Sequence, residues 1–212
     1  MRVIVTRPEG QAEPLAGRIR ALGHEVVLCP LTRIEPLGDE PIELDGVDWL
    51  LVTSVNGAAE LARRARGRPR NVAAIGPGTA AALRSAGFRV DLVPQTATQE
   101  GLLAELPPPS GRVLFAGAAG ARRLLADELG AEFLPLYRTI ELSPERPDGD
   151  LVVLASASAA RAFARLTNAV PAVSIGPETT RAAESAGLTV LAEAEEHDLE
   201  GLVAALVRLP GA

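Results

Sequence analysis

The chain repeats itself once. Residues 175–204 laid over 75–104, an offset of 100, match without a gap at Ile75/Ile175, Gly76/Gly176, Pro77/Pro177, Thr79/Thr179, Ala82/Ala182, Ser85/Ser185, Ala86/Ala186, Gly87/Gly187, Val90/Val190, Glu100/Glu200, Gly101/Gly201, Leu102/Leu202 and Ala104/Ala204. Chance alignment over such a stretch of an Ala-rich chain predicts about two or three identities, so duplication is the better account. The period is too long for a solenoid and suits two related α/β domains. Two similar domains imply a cleft, the usual place for a small ligand.

The order of elements agrees. Continuous apolar strands alternate with helices: strands at 2–6, 25–29, 47–53, 72–75, 89–93, 112–116 and 132–134, and helices at 11–22, 57–66, 79–86, 99–106 and 121–129. Unbroken apolar strands joined by helices predict parallel sheets covered on both faces. A fainter likeness joins Glu25–Glu35 to Glu132–Glu141, so the chain reads A–B–A′–B′, with A over about 1–30 and A′ over about 111–135. The stretches 31–41 and 136–148 are rich in Pro, Asp and Glu and lack a helical period, which predicts linkers that cross twice as a paired ribbon.

Composition excludes several kinds of chemistry. A net charge of −6 with 3% aromatic residues argues against nucleic acid as a partner. All 21 basic residues are arginine, so Schiff-base chemistry and a Walker lysine are excluded. His24 and His197, the only histidines, stand outside any metal-ligand or nucleophile spacing, and no Gly-x-Gly-x-x-Gly follows a strand. No metal or cofactor is expected. The apolar runs are too short to span a bilayer and no signal sequence opens the chain, so a cytoplasmic location is expected. Cys29, the lone cysteine, lies in an apolar run and is expected to be a buried structural thiol. Nothing marks an oligomer interface, and a monomer is expected.

The candidate residues gather where strands end. Gly76-Pro77-Gly78-Thr79 and Gly176-Pro177-Glu178-Thr179 each follow a short apolar strand and open a helix that closes at Gly87 or Gly187. A glycine there lets a ligand approach free N–H groups, and the helix dipole favours an anion. The bland alternative is a tight turn that binds nothing; two copies favour a ligand with several negative groups. Ser54 and Asn56 match Ser156 and Ser158 at an offset of 102, with Asn56 and Ser158 expected to cap helices and the serines two positions earlier to lie at the ligand-binding carboxyl edge. Thr6 and Arg7 end the first strand at the same edge, Arg7 as surface residue or anion clamp. Tyr137, the only tyrosine, falls in the second linker, with a hinge or packing role as open as a proton-donating one.

Together these residues resemble the uroporphyrinogen-III synthase family. Val5-Thr6-Arg7-Pro8 is similar to its amino-terminal strand and turn. Thr53-Ser54-Val55-Asn56-Gly57-Ala58 and Ala155-Ser156-Ala157-Ser158-Ala159 resemble its two serine-containing strand ends, and 74–80 with 174–180 its paired glycine–threonine turns. Leu136-Tyr137-Arg138 resembles its linker tyrosine. The resemblance covers 1–209, and the order and spacing of these short motifs carry it.

The resemblance implies two flavodoxin-like α/β/α domains joined by a two-stranded linker. One is built from 1–30 with 149–212, the other from 42–135. The implied substrate is hydroxymethylbilane, a linear tetrapyrrole with eight carboxylates. Its hydroxyl leaves as water, an azafulvene forms, ring D inverts through a spiro intermediate and the macrocycle closes, without cofactor or metal. Tyr137 is then the expected proton donor. Thr6, Arg7, Ser54, Asn56, Gly76, Thr79, Ser156, Ser158, Gly176 and Thr179 are expected to hold carboxylates, mainly through backbone N–H groups, so single side-chain losses should be mild. Two other classes fit the residues less well: a two-lobed metabolite sensor, and a nucleotide-dependent transferase that lacks its phosphate loop.

Overall fold

The computed structural model describes residues 1–209. In chain order its elements are β1 (Arg2–Val5), α1 (Glu13–Ala21), β2 (Glu25–Leu28), β3 (Thr32–Pro36), β4 (Ile42–Glu43), β5 (Val47–Val52), α2 (Val55–Arg64), β6 (Ala65–Arg66), β7 (Asn71–Ala74), α3 (Pro77–Ser85) and α4 (Gln99–Glu105). There follow β8 (Arg112–Ala118), α5 (Leu124–Leu129), β9 (Glu132–Glu141), β10 (Leu151–Leu154), α6 (Ala157–Leu166), β11 (Ala172–Ser174), α7 (Pro177–Ser185), β12 (Val190–Glu193) and α8 (Leu199–Val207). No helix among the described residues is long and apolar enough to cross a membrane.

The chain divides into two compact units: Met1–Arg33 with the chain from Ile140 onward, and Ile34–Thr139. The first is therefore A with B′ and the second B with A′. Residues 210–212, within the expected 149–212 segment, lie outside the described residues.

In the first unit the sheet order is β12-β11-β10-β1-β2, all pairs parallel. Every residue of β10 is buried, because helices cover both faces. Leu151 and Val153 pack with Val3, Val5, Leu15, Ile19 and Leu202 on one face. Val152 and Leu154 pack with Ile4, Phe163 and Leu188 on the other. Cys29 is buried in that second cluster, where burial pushes its thiol pKa up, so the structural reading stands. α1 closes at Gly23, whose φ of 86° favours glycine.

The second unit repeats the order, with β3 added at one edge: β3-β9-β8-β5-β7. Again an inner strand, β5, is wholly buried, Leu50 and Val52 facing one cluster and Trp49 and Leu51 the other. Leu37 N–H donates to Leu136 O at 2.8 Å and Leu142 N–H to Leu31 O at 2.9 Å, so the two crossing stretches run antiparallel. Both expected linkers are thus partly strand, and β9 continues ten residues where a strand ending at Leu134 was expected.

Other expectations need correction. Residues 89–93 form only one bridge, Ala73 to Leu92. The helix expected from Ala121 begins at Leu124. Helices α2 and α3 begin two residues earlier than their spacing suggested.

Candidate active site

The parallel strands of each unit end along one edge, and the candidate residues lie there. In the second unit β5 ends at Val52, followed by Thr53 and Ser54, and β7 ends at Ala74, followed by Ile75 and Gly76. Ile75 N–H donates to Val52 O at 3.0 Å, which holds the two strand ends level. The first unit repeats the bond, Ile175 N–H to Leu154 O at 3.0 Å, and sets Ser156 and Gly176 side by side after β10 and β11.

The helix caps are not those expected. Ser54 has extended backbone (φ −161°, ψ 153°), and its Oγ accepts the Gly57 N–H at 2.9 Å. Ser156 does the same for Ala159 at 3.1 Å. Asn56 and Ser158 therefore sit in the first helical turn rather than capping it. The signal available in the sequence was a serine two residues past the end of each apolar strand, directly before the helix. A Cβ at Gly57 would stand 3.1 Å from Ser54 Oγ, so that glycine gives the cap room.

Gly76 and Gly176 are the N-caps of α3 and α7, each followed by proline at the first helical position, where its missing N–H costs nothing. With no side chain, these caps offer no side-chain acceptor to the first-turn N–H groups, although the Thr179 N–H donates to the Gly176 carbonyl at 3.0 Å. Close approach also favours glycine here. A Cβ on Gly76 would meet Ala97 Cβ at 3.1 Å, and one on Gly176 would meet the His197 ring at 2.9 Å. Thr79 and Thr179, expected as cap or first-turn residues, are first-turn residues and are buried. The two ends differ in charge. α3 carries exposed Gly78, whereas α7 carries Glu178, which pairs with Arg181.

Thr6 and Arg7 follow β1. The Thr6 side chain is 2% exposed and its hydroxyl donates to Val153 O at 3.2 Å, binding β1 to β10. Only its backbone is left for a ligand. Arg7 is half-buried and its Nε donates to Gln11 O at 2.9 Å. Burial alone lowers its guanidinium pKa; no acidic group contributes. A desolvated cation without a carboxylate gains most from an arriving anion.

Tyr137 lies inside β9, not on a loose linker. The β8–β9 register shifts between Gly117 and Ala118: Gly117 faces Pro135, but Ala118 faces Tyr137. The extra residue breaks the alternation of side chains, so Leu136 and Tyr137 are both buried, at 0% and 5% exposure. The bulge aims the phenol at the end of β5, where its O–H donates to Ser54 Oγ at 2.9 Å. A bulge at Pro135-Leu136-Tyr137 has no clear sequence signature, which is why this pairing was not legible. Among the described residues no three His, Cys, Asp or Glu side chains gather as a metal site.

The chain is similar to known proteins over most of its length. The family model for uroporphyrinogen-III synthase HemD matches residues 13–204. The uroporphyrinogen-III synthase of Synechococcus elongatus is 26% identical, over 96% of this chain and 93% of its own. A putative uroporphyrinogen-III synthase of Methanocaldococcus jannaschii is 29% identical, over 71% of this chain and 66% of its own. Among solved structures, a mutant uroporphyrinogen III synthase from the extremely thermophilic bacterium Thermus thermophilus superposes with a TM-score of 0.61, covering 98% of both chains at 21% identity.

Proposed function

Because the chain belongs to the uroporphyrinogen-III synthase family, we propose that it cyclises hydroxymethylbilane to uroporphyrinogen III with loss of water and inversion of ring D. The observation that carries this reading is the pair of glycine-capped helix ends, one per unit, beside a serine-capped helix and, in the first unit, a half-buried arginine with no carboxylate partner among the described residues. A ligand with eight carboxylates suits several such sites better than one basic pocket, and it tolerates a chain of net charge −6.

Each residue has a stated part. Gly76 and Gly176 let a carboxylate approach the helix ends, Thr79 offers a first-turn N–H, Thr179 supports the matching turn with its own N–H bonded to Gly176 O at 3.0 Å, and Thr6 offers its backbone. Arg7 clamps a carboxylate; Asn56 and Ser158 present polar side chains in the first turn of α2 and α6. Ser54 and Ser156 hold the helix ends open to the ligand, and the hydroxyl pair Tyr137–Ser54 assists departure of water. The remaining task is positioning: a flexible linear tetrapyrrole has to be folded so that closure without inversion is disfavoured. The chain acts as a monomer in the cytoplasm, with a two-stranded connection at 31–41 and 136–148, and needs no metal or cofactor.

The test is product identity. Purified protein given hydroxymethylbilane should form the type III isomer, separated from the type I isomer by chromatography. Type I alone, at the rate of the protein-free control, would end this reading.

A further inference from the structure

We propose that Ser54 is the group that touches the departing hydroxyl, and that Tyr137 is a positioning residue and proton reservoir acting through it. This rests on the cyclase reading above.

A serine oxygen carries two lone pairs and one proton. At Ser54 one lone pair takes the Gly57 N–H at 2.9 Å and the other takes the Tyr137 O–H at 2.9 Å. Both acceptor directions are filled, so the Ser54 proton points along the one that is left. Neither bond is loose. The first is the cap of α2 and the second comes from a side chain 5% exposed, held by the β-bulge and packed with Val52, Ala116 and Leu136. Ser54 is the less buried of the two, and lies at the strand end with the other candidate residues. Two successive hydroxyl bonds polarise one another, which makes the outer O–H the better donor.

The first unit supplies the contrast. Ser156 also caps its helix, but its second partner is the exposed hydroxyl of Ser158 at 3.1 Å, and either can be the donor. No buried phenol fixes that direction. The acid function therefore belongs to the second unit alone.

The step balances. The C–O bond of the hydroxymethyl group breaks and its electron pair leaves on oxygen. That oxygen takes the Ser54 proton and departs as water, while Ser54 takes the Tyr137 proton, leaving a phenolate. The pyrrole N–H proton lost in forming the azafulvene restores the phenol.

The test is a double-mutant cycle on type III formation with Ser54→Ala, Tyr137→Phe and the double variant. Each single change should lower kcat on the order of tenfold with KM little moved, below the usual general-acid range because the pyrrole nitrogen itself drives hydroxide out. The double variant should be no slower than the slower single one. Ser54→Thr, which keeps hydroxyl and cap, should restore kcat; thermal melting of each variant separates loss of fold from loss of chemistry. Multiplying effects in the double variant, an unchanged kcat in Ser54→Ala, or no rescue by threonine would overturn the inference. If the parent protein makes no type III isomer, the cyclase reading has failed instead.

Discussion

The segments 75–104 and 175–204 share their backbone course and differ in how firmly each holds its edge. Both begin at a glycine N-cap followed by proline, and both close the helix at a glycine of φ near 85°: Gly87 at 84° and Gly187 at 85°. Both return in the same register, Leu92 against Ala73 and Ala192 against Val173. Yet residues 190–193 form the strand β12, and 89–93 stop at one bridge. The difference lies one residue further on. Ala194 N–H donates to Ser174 O at 2.9 Å and extends the ladder; the matching residue is Pro94, which has no N–H. A chain of polar contacts, Ser174 to Thr180 at 2.6 Å and Thr180 to Glu193, ties the first unit's edge further. Its counterparts are Ala74, Ala80 and Val93, which cannot form it. Turn residues thus fix where the backbone goes, and one proline decides how far the sheet extends.

The shared part breaks most easily at Gly101 and Gly201. A Cβ on Gly101 would sit 2.2 Å from the Thr96 carbonyl oxygen, and one on Gly201 would sit 2.0 Å from that of Glu196. Gly101→Ala and Gly201→Ala should each cost about 3 kcal/mol in urea unfolding, since backbone has to shift. Gly17→Ala, in α1 with nothing within 4 Å, should instead stabilise by about 1 kcal/mol. Equal losses in both units would confirm that the two turns are one device.

The unequal part is sharpened by exchange. Ala194→Pro should cost about 1–2 kcal/mol and speed amide exchange over 190–193, because the Ser174 carbonyl loses its partner. Pro94→Ala should slow exchange over 91–94. Unchanged exchange in both variants would remove proline as the cause.

Much of this was legible beforehand because apolar runs and glycines act locally. Val47–Val52 and Leu151–Leu154 could be read as buried strands from composition, and Gly23, Gly87 and Gly187 as helix ends. What depended on partners distant in sequence was not legible. The strand expected at 89–93 has the right residues, but its length is set by what Pro94 denies to Ala74. Asn56 looked like a cap because the helix was expected to begin at 57; it begins at Val55, which makes Ser54 the cap. Tyr137 was read as lying in a linker, with packing and proton donation both open, because the bulge that buries it arises only when β9 pairs with β8.

The two glycine–threonine corners also differ in charge, which gives a functional test. Glu178 puts a negative charge in the first turn of α7, where on the proposed reading a substrate carboxylate arrives; the matching residue of α3 is Gly78. Gly78→Glu should raise KM for hydroxymethylbilane by about fivefold, and Glu178→Gly should lower it by about twofold, with kcat nearly unchanged. The smaller second effect follows from Arg181, which already offsets part of the Glu178 charge. An unmoved KM in both variants would mean the carboxylates bind elsewhere.

The smallest difference concerns Glu100 and Glu200, which hold the same place in the repeat. Each lies in the first turn of its helix and pairs with an arginine of an A-type segment: Glu100 with Arg122 through two bonds of 2.6 and 3.0 Å, Glu200 with Arg18 through one contact of 2.5 Å. The bond from Arg122, aided by its own backbone, lowers the Glu100 pKa to about 2; the bond from Arg18 lowers that of Glu200. A carboxylate whose folded pKa is depressed contributes stability above its unfolded pKa of about 4.5 and loses it as pH falls towards the folded value. Between pH 4.5 and 2 the parent protein should therefore lose slightly more stability than Glu100→Gln, while above pH 5 the difference should be constant. Both side chains of the Glu100 pair are more than half exposed, so salt should shrink the effect. Glu200→Gln should show the same sign with a shallower slope, because a single contact holds the charge less firmly than a two-bond fork. Parallel melting curves for parent and Glu100→Gln across that window would show that the pair contributes nothing in acid.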